Sequence, residues 1–145
     1  MEWFASKGAS IAFPVGHTPN WDFIAELDER LVRVQVKTCI SWIKNRWSVA
    51  LCTRGGNQSW NGIVKRLDAS RFEFLFVLVG DGRRWCIPAS VLDGRSGMQL
   101  GGPKYAEFEV EPGRPLPAPH GEEAASTIGS SNARGDVRAA KGDAL

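Results

Sequence analysis

Residues 19–38 read Pro-Asn-Trp-Asp-Phe-Ile-Ala-Glu-Leu-Asp-Glu-Arg-Leu-Val-Arg-Val-Gln-Val-Lys-Thr, and the second half alternates strictly. Val32, Val34 and Val36 fall on one side and Arg33, Gln35 and Lys37 on the other, the period of two that marks a half-buried strand. The first half suits a strand as well, with Trp21, Phe23, Ala25 and Leu27 on one face and Asp22, Ile24 and Glu26 on the other. Asp28 and Glu29 between them are short and polar, the expected turn of a hairpin.

A two-residue turn sets Leu27 opposite Arg30, and counting outward sets Asp22 opposite Gln35. Directly opposed residues have Cβ atoms about 4.5–5.5 Å apart, and diagonal neighbours lie at about 7–8 Å. Asp22, Gln35 and Lys37 then project from one face within reach of a single ion or phosphate, whereas an odd-length turn scatters them. A carboxylate, a second oxygen ligand and a lysine on adjacent strands suit phosphodiester hydrolysis with magnesium, which takes oxygen ligands and keeps several waters. The ion polarises the phosphoryl oxygen and helps generate hydroxide, while the lysine orients that water or offsets developing charge. The plainer alternative is the solvated face of an edge strand, with Asp22 an ordinary surface acid.

An ordered set of segments surrounds this pattern. Phe13-Pro14-Val15-Gly16 precedes the Asp, Gln35-Val36-Lys37-Thr38 follows it, then Arg54-Gly55-Gly56, and a late strand–turn–strand ends in Ile87-Pro88. Over most of residues 7–110 the set resembles the PD-(D/E)XK nuclease superfamily. The variant with Gln at the second acidic position is similar to that of small prokaryotic and group I intron-associated endonucleases. The resemblance implies an α/β domain with a restriction-endonuclease-like mixed β-sheet and flanking short helices. It also implies a DNA endonuclease dependent on Mg2+ or Mn2+. Asp22, Gln35 and the carbonyl of Val36 stand at the metal in that reading, and Asp22, Gln35 and Lys37 carry catalysis.

Two departures bear on this expectation. Gln35 is neutral, so the inferred site has one carboxylate and binds a cation more weakly than a two-acid site. Only Glu2 to Lys7 precede Gly8, so the superfamily's first helix is shortened and its Glu is not assigned to Glu2. The alternative reading is therefore a catalytically inactive nuclease fold that binds DNA or protein. A third reading is a small interaction domain with no nucleic-acid role.

Composition sets the outer bounds. The chain has 145 residues of which 43% are hydrophobic, enough for one domain with one core. The net charge of +2 is uninformative, but from Lys37 to Arg84 nine Lys or Arg stand against three acids. Such a basic segment attracts a phosphate backbone, or simply keeps the surface soluble. Cys39, Cys52 and Cys86 form no CxxC pair and His17 and His120 are far apart, which argues against zinc. An odd cysteine count without a leader pattern points to a reducing cytoplasm, and no apolar run is long enough for a membrane span. Cutting both DNA strands with one site per chain usually needs two copies, which makes a homodimer one candidate arrangement, although the sequence does not give the oligomeric state.

Along the chain, residues 3–7 read as a helix closing at Gly8, and Ser10 to Phe13 as a short strand. His17 lies in the following loop, either near substrate phosphate or incidental. Arg46 to Thr53 reads as one long strand and Arg54 to Ser59 as a polar loop, with Arg54 a candidate DNA contact. Trp60, Ile63, Val64 and Leu67 sit at helical spacing and predict a short helix presenting Lys65 and Arg66, two further candidate DNA contacts. Phe72 to Val79 is nearly continuous apolar, a buried central strand. Glu73 at its start either assists the site or pairs with Arg71. Gly80-Asp81-Gly82 predicts a turn, Trp85 to Ile87 a returning strand, and Ala89 to Leu92 a short helical segment opened by Pro88. Gly94 to Pro103 reads as loop and Tyr105 to Val110 as a last strand. The folded domain is expected over residues 1–112. From 113 to 145, seven Ala, five Gly and three Pro with few larger aliphatics predict a disordered tail.

Overall fold

A computed structural model describes residues 1–16, 20–54 and 64–117. The tail beyond Pro117, most of the expected disordered segment, lies outside the described residues, as does His17. The elements in chain order are α1 (Glu2–Ser6), β1 (Ser10–Ala12), β2 (Phe23–Leu27), β3 (Arg30–Cys39), β4 (Trp42–Ile43), β5 (Arg46–Ala50), β6 (Cys52–Arg54), β7 (Val64–Arg66), β8 (Phe74–Val79), β9 (Arg84–Pro88), β10 (Gly97–Leu100) and β11 (Glu109–Val110). Three single 3-10 turns, Ala69–Arg71, Ala89–Val91 and Ala106–Phe108, complete them.

The β2–β3 hairpin closes through Asp28 and Glu29, both in the left-handed region at φ 50° and 63°. Positive φ at both central residues is the type I′ geometry whose twist matches paired strands. It fixes Leu27 opposite Arg30 and Phe23 opposite Val34, the register expected from the alternation. From Val34 to Cys39 the other edge of β3 pairs in parallel with β8. The full sheet runs β1-β2-β3-β8-β9-β11, antiparallel except at β3–β8. This is the mixed sheet with short helices that the resemblance implied.

Both faces of the sheet are covered, by different means. One face carries Phe23, Ala25, Val34 and Phe76 and is closed by Phe4 of α1. A five-residue helix is too short to persist alone, and packing holds it here. The Phe4 ring meets Phe23 at 5.4 Å and Phe76 at 5.5 Å between centroids. The other face carries Cys39, Leu75, Val77, Val79, Trp85 and Ile87, and packs on Trp47, Val49, Met98 and Leu100 of a second sheet, β10-β5-β4. β8 thus buries side chains on both faces, as its unbroken apolar run requires. Each of its fully buried residues contributes about 1.5–3 kcal/mol.

Several expectations are corrected. The long strand from Arg46 breaks at Leu51, whose N–H donates to Ser96 O and whose carbonyl accepts from Leu67 N–H. Its last part, β6, pairs with β7 in a separate ribbon. Lys65 and Arg66 therefore sit on a strand and not on a helix; the long-range partner overrides the helical spacing. Gly97–Leu100, expected as loop, is a strand because it finds β5 as an antiparallel neighbour. Tyr105 to Val110 is a 3-10 turn followed by only two paired residues, since Tyr105 takes a left-handed φ of 66°. Trp21 leaves the face of Phe23 and Ala25 and packs against the opposite cluster.

After β11 the chain is tied back at several places. Gly113 N–H donates to Gly82 O at 2.8 Å and Leu116 N–H to Gly80 O at 3.1 Å. Glu111 accepts from Lys7 Nζ and, at 2.9 Å, from Trp3 Nε1. The Lys7 ammonium, with the Trp3 indole N–H, pulls the Glu111 carboxyl from its ordinary 4.5 to about 2. A carboxyl depressed in the folded state stabilises above its unfolded value and loses that contribution as pH falls through the folded one. Stability measured by denaturant midpoint should therefore fall between pH 4.5 and about 2 more steeply in the wild type than in Glu111→Gln. The difference should be small because the pair is exposed. Parallel curves for the two proteins would contradict the assignment.

Candidate active site

Asp22 stands one residue ahead of β2, and its N–H donates to Val34 O at 2.8 Å, carrying the ladder one step beyond the strand. That step sets its side chain opposite Gln35. Asp22 Oδ2 accepts from Gln35 Nε2 at 2.7 Å and from the Val36 N–H at 2.6 Å. An ionised carboxylate only accepts, so the Gln35 amide must present its nitrogen to Asp22. The same nitrogen lies 3.3 Å from Val36 O. Both bonds to Asp22 fall on one oxygen, so Asp22 Oδ1 and Gln35 Oε1 are left without a hydrogen bond among the described residues.

Lys37 follows Gln35 on the same face of β3, half-buried, and has no hydrogen-bond or ion-pair partner among the described residues. Its access has a topological cause. β2 stops pairing at Phe23, so beyond Gln35 only β8 flanks β3 within the sheet among the described residues. Asp22, Gln35 and Lys37 are thus brought to one side of the sheet, where β2 ends and the second core begins.

Glu73 has a different partner from the one expected. Parallel pairing of Val34 with Phe74 places Glu73 beside Arg33. Glu73 accepts from the Arg33 N–H at 2.5 Å and from Arg33 Nη2 at 2.5 Å. That guanidinium holds the Glu73 carboxyl below its ordinary range. Arg71 instead pairs with Asp68 at 3.5 Å. Arg33 is the residue that sequence reasoning missed at this face. Its alternation with Gln35 was visible, but its partner depends on β3 lying beside β8, which no local pattern announces.

The other candidates lie elsewhere. Arg54, Lys65 and Arg66 belong to the β6–β7 ribbon, not to the sheet that carries Asp22, Gln35 and Lys37. The cysteines are free thiols, and burial pushes the Cys86 thiol up to about 11, which keeps it protonated and unreactive. Among the described residues no three His, Cys, Asp or Glu converge. A cation at this face would rest on one carboxylate and neutral oxygens, a hard donor set that fits magnesium or manganese and not a thiophilic metal.

Comparisons with known proteins agree with this fold. The structure is similar to that of a bacterial homing endonuclease, I-Ssp6803I, with a TM-score of 0.63 and 18% identity, covering 74% of this chain and 79% of that one. At that identity the likeness is one of fold. No curated protein matches the sequence. A family model described as PD-(D/E)XK endonuclease matches residues 3–91. The match takes in more than half of the sequence, and the chain belongs to the PD-(D/E)XK endonuclease family.

Proposed function

We propose that this chain is a DNA endonuclease dependent on Mg2+ or Mn2+, with Asp22, Gln35 and Lys37 at its reacting centre. The observation that carries the reading is the bond from Gln35 Nε2 to Asp22 Oδ2, which leaves Asp22 Oδ1 and Gln35 Oε1 without a hydrogen bond among the described residues, on the face of β3 that also carries Lys37. Asp22, Gln35 and the Val36 carbonyl would hold the cation. Bound there, it supplies Lewis-acid polarisation of the scissile phosphate and lowers the pKa of water.

The chain's own groups do the rest. The Val36 N–H fixes the Asp22 carboxylate against β3, so the acid loses little freedom when a ligand arrives. The Lys37 ammonium donates to the attacking water or to a non-bridging phosphate oxygen and stabilises charge as water adds to phosphorus and the P–O bond to the leaving oxygen breaks. Arg33 is neutralised by Glu73 and adds no net charge to this face. One site per chain makes a symmetric pair of copies the arrangement that cuts both antiparallel strands. Free cysteines suit work in a reducing cytoplasm. The second reading, a nuclease fold that binds DNA or protein without cutting, is favoured by one observation, the lone carboxylate among Asp22, Gln35 and Lys37.

Two experiments test these assignments. Asp22→Asn keeps an acceptor for the Val36 N–H but removes the charge, and Lys37→Met keeps the stem. Nicking of supercoiled plasmid in Mg2+ should fall below detection in the first and by about 10²–10³ in the second, with melting temperatures close to the wild type. Wild-type rates in both variants would refute the assignment, and an inert wild type that retains DNA would select the binding module. Gln35→Glu adds a second acid beside Asp22 and should tighten Mg2+ binding, read by calorimetric titration, by about tenfold, or ~1.4 kcal/mol. Unchanged Mg2+ affinity would place the ion elsewhere.

A further inference from the structure

A groove of about 880 Å³ opens on the second sheet, away from Asp22, Gln35 and Lys37. Ser48 and Gln99 line its floor. They are opposed across β5–β10 and alternate with the buried Trp47, Val49, Met98 and Leu100, so the groove occupies the outer face of that sheet. Its cations come from four separate segments: Arg46 at the start of β5, Arg66 at the end of β7, Arg95 ahead of β10 and Lys104 after it.

Among the described residues only one acid lines the groove, Asp93. Its carboxylate is shared by Lys104 at 3.1 Å and Arg95 at 3.2 Å. The hydrogen bond from Lys104 holds the Asp93 carboxyl below its ordinary range, so one anion faces two cations. Arg46 donates to its neighbour's carbonyl, Asn45 O, at 2.7 Å, and neither Arg46 nor Arg66 has an acidic partner among the described residues. The groove therefore carries a clear excess of positive charge.

We infer that this groove is a second contact surface for the sugar–phosphate backbone of duplex DNA, outside the cutting site. The form of the site identifies the partner. A small anion calls for buried, convergent donors, whereas here the Arg95 and Lys104 side chains are 76% and 62% exposed and the cations come from four separate segments around the opening. Spread, solvent-facing cations match a polymer that offers a phosphate at every step and gains affinity by releasing counterions. Arg66, expected from the sequence on a helix, acts here from a strand. Arg46, which belongs to the basic segment from Lys37 to Arg84, acts with it, as do Arg95 and Lys104, although nothing in the local sequence of those two marks them. The inference rests on the nuclease reading above, which supplies DNA as the occupant.

The test is duplex retention as a function of salt, by fluorescence anisotropy on a labelled 30-base-pair DNA in EDTA. Arg46→Gln/Arg95→Gln/Lys104→Gln should weaken binding at least tenfold at low salt. Each phosphate contact contributes about 0.9 to the slope of log K against log salt, so the triple variant should lose roughly two to three units of slope. The charge-preserving Arg46→Lys/Arg95→Lys/Lys104→Arg should keep the wild-type slope, and so should Lys7→Gln, just past the helix that covers the opposite face of the large sheet. Melting temperatures close to the wild type establish that the triple variant folds. A wild type that binds and cuts DNA, with a triple variant of unchanged affinity and slope, overturns the groove and leaves the nuclease reading standing. A wild type that neither retains duplex nor cuts it overturns both.

Discussion

The hydrogen-bond register between β2 and β3 is the constraint on which the rest depends. A side-chain period of two means that a slip of one residue sends Gln35 and Lys37 into the aromatic cluster of Phe4, Phe23 and Phe76, and turns Val34 and Val36 to the other side. The register is held at both ends. Asp28 and Glu29 take the left-handed conformation that a two-residue turn needs. At the far end the Asp22 N–H bonds to Val34 O and the Asp22 carboxylate to the Val36 N–H. The acid that would bind a cation therefore also fastens the hairpin, which couples the local fold to the proposed chemistry.

β3 changes partners along its length, and that change makes room for a site. Its first half pairs with β2 and its second half with β8, overlapping at Val34. Where β2 gives out, no further strand pairs with β3 on that flank among the described residues. Had β2 been longer at its start, its side chains would have covered Gln35 and Lys37. The short helix α1 seals the reverse face with Phe4 and leaves the Asp22 side to the second sheet and to solvent.

Much of this was legible in the residues, and what was not has a physical reason. Strict alternation in residues 32–37 and a two-residue polar turn carry their own register, so the placement of Asp22 opposite Gln35 could be counted. The apolar run of β8 likewise declares burial on both faces. By contrast, β7, β10 and β11 are two to four residues long, too short to show a period, and they exist only because a distant partner offers unpaired backbone. The Arg33–Glu73 pair was hidden for the same reason, since it depends on a parallel crossover. The cationic groove gathers residues from four segments, which no window of sequence brings together. Family membership adds to this reading by spanning the hairpin and the central strand, but the roles of single side chains rest on their geometry.

The most direct measurement is anomalous diffraction from crystals of the wild-type protein grown with Mn2+. The account predicts a hydrated ion contacted by Asp22 and Gln35, with the Lys37 ammonium on the same side of the sheet. A peak held by other residues, or none at this face while the same preparation cuts DNA in Mn2+, would contradict it.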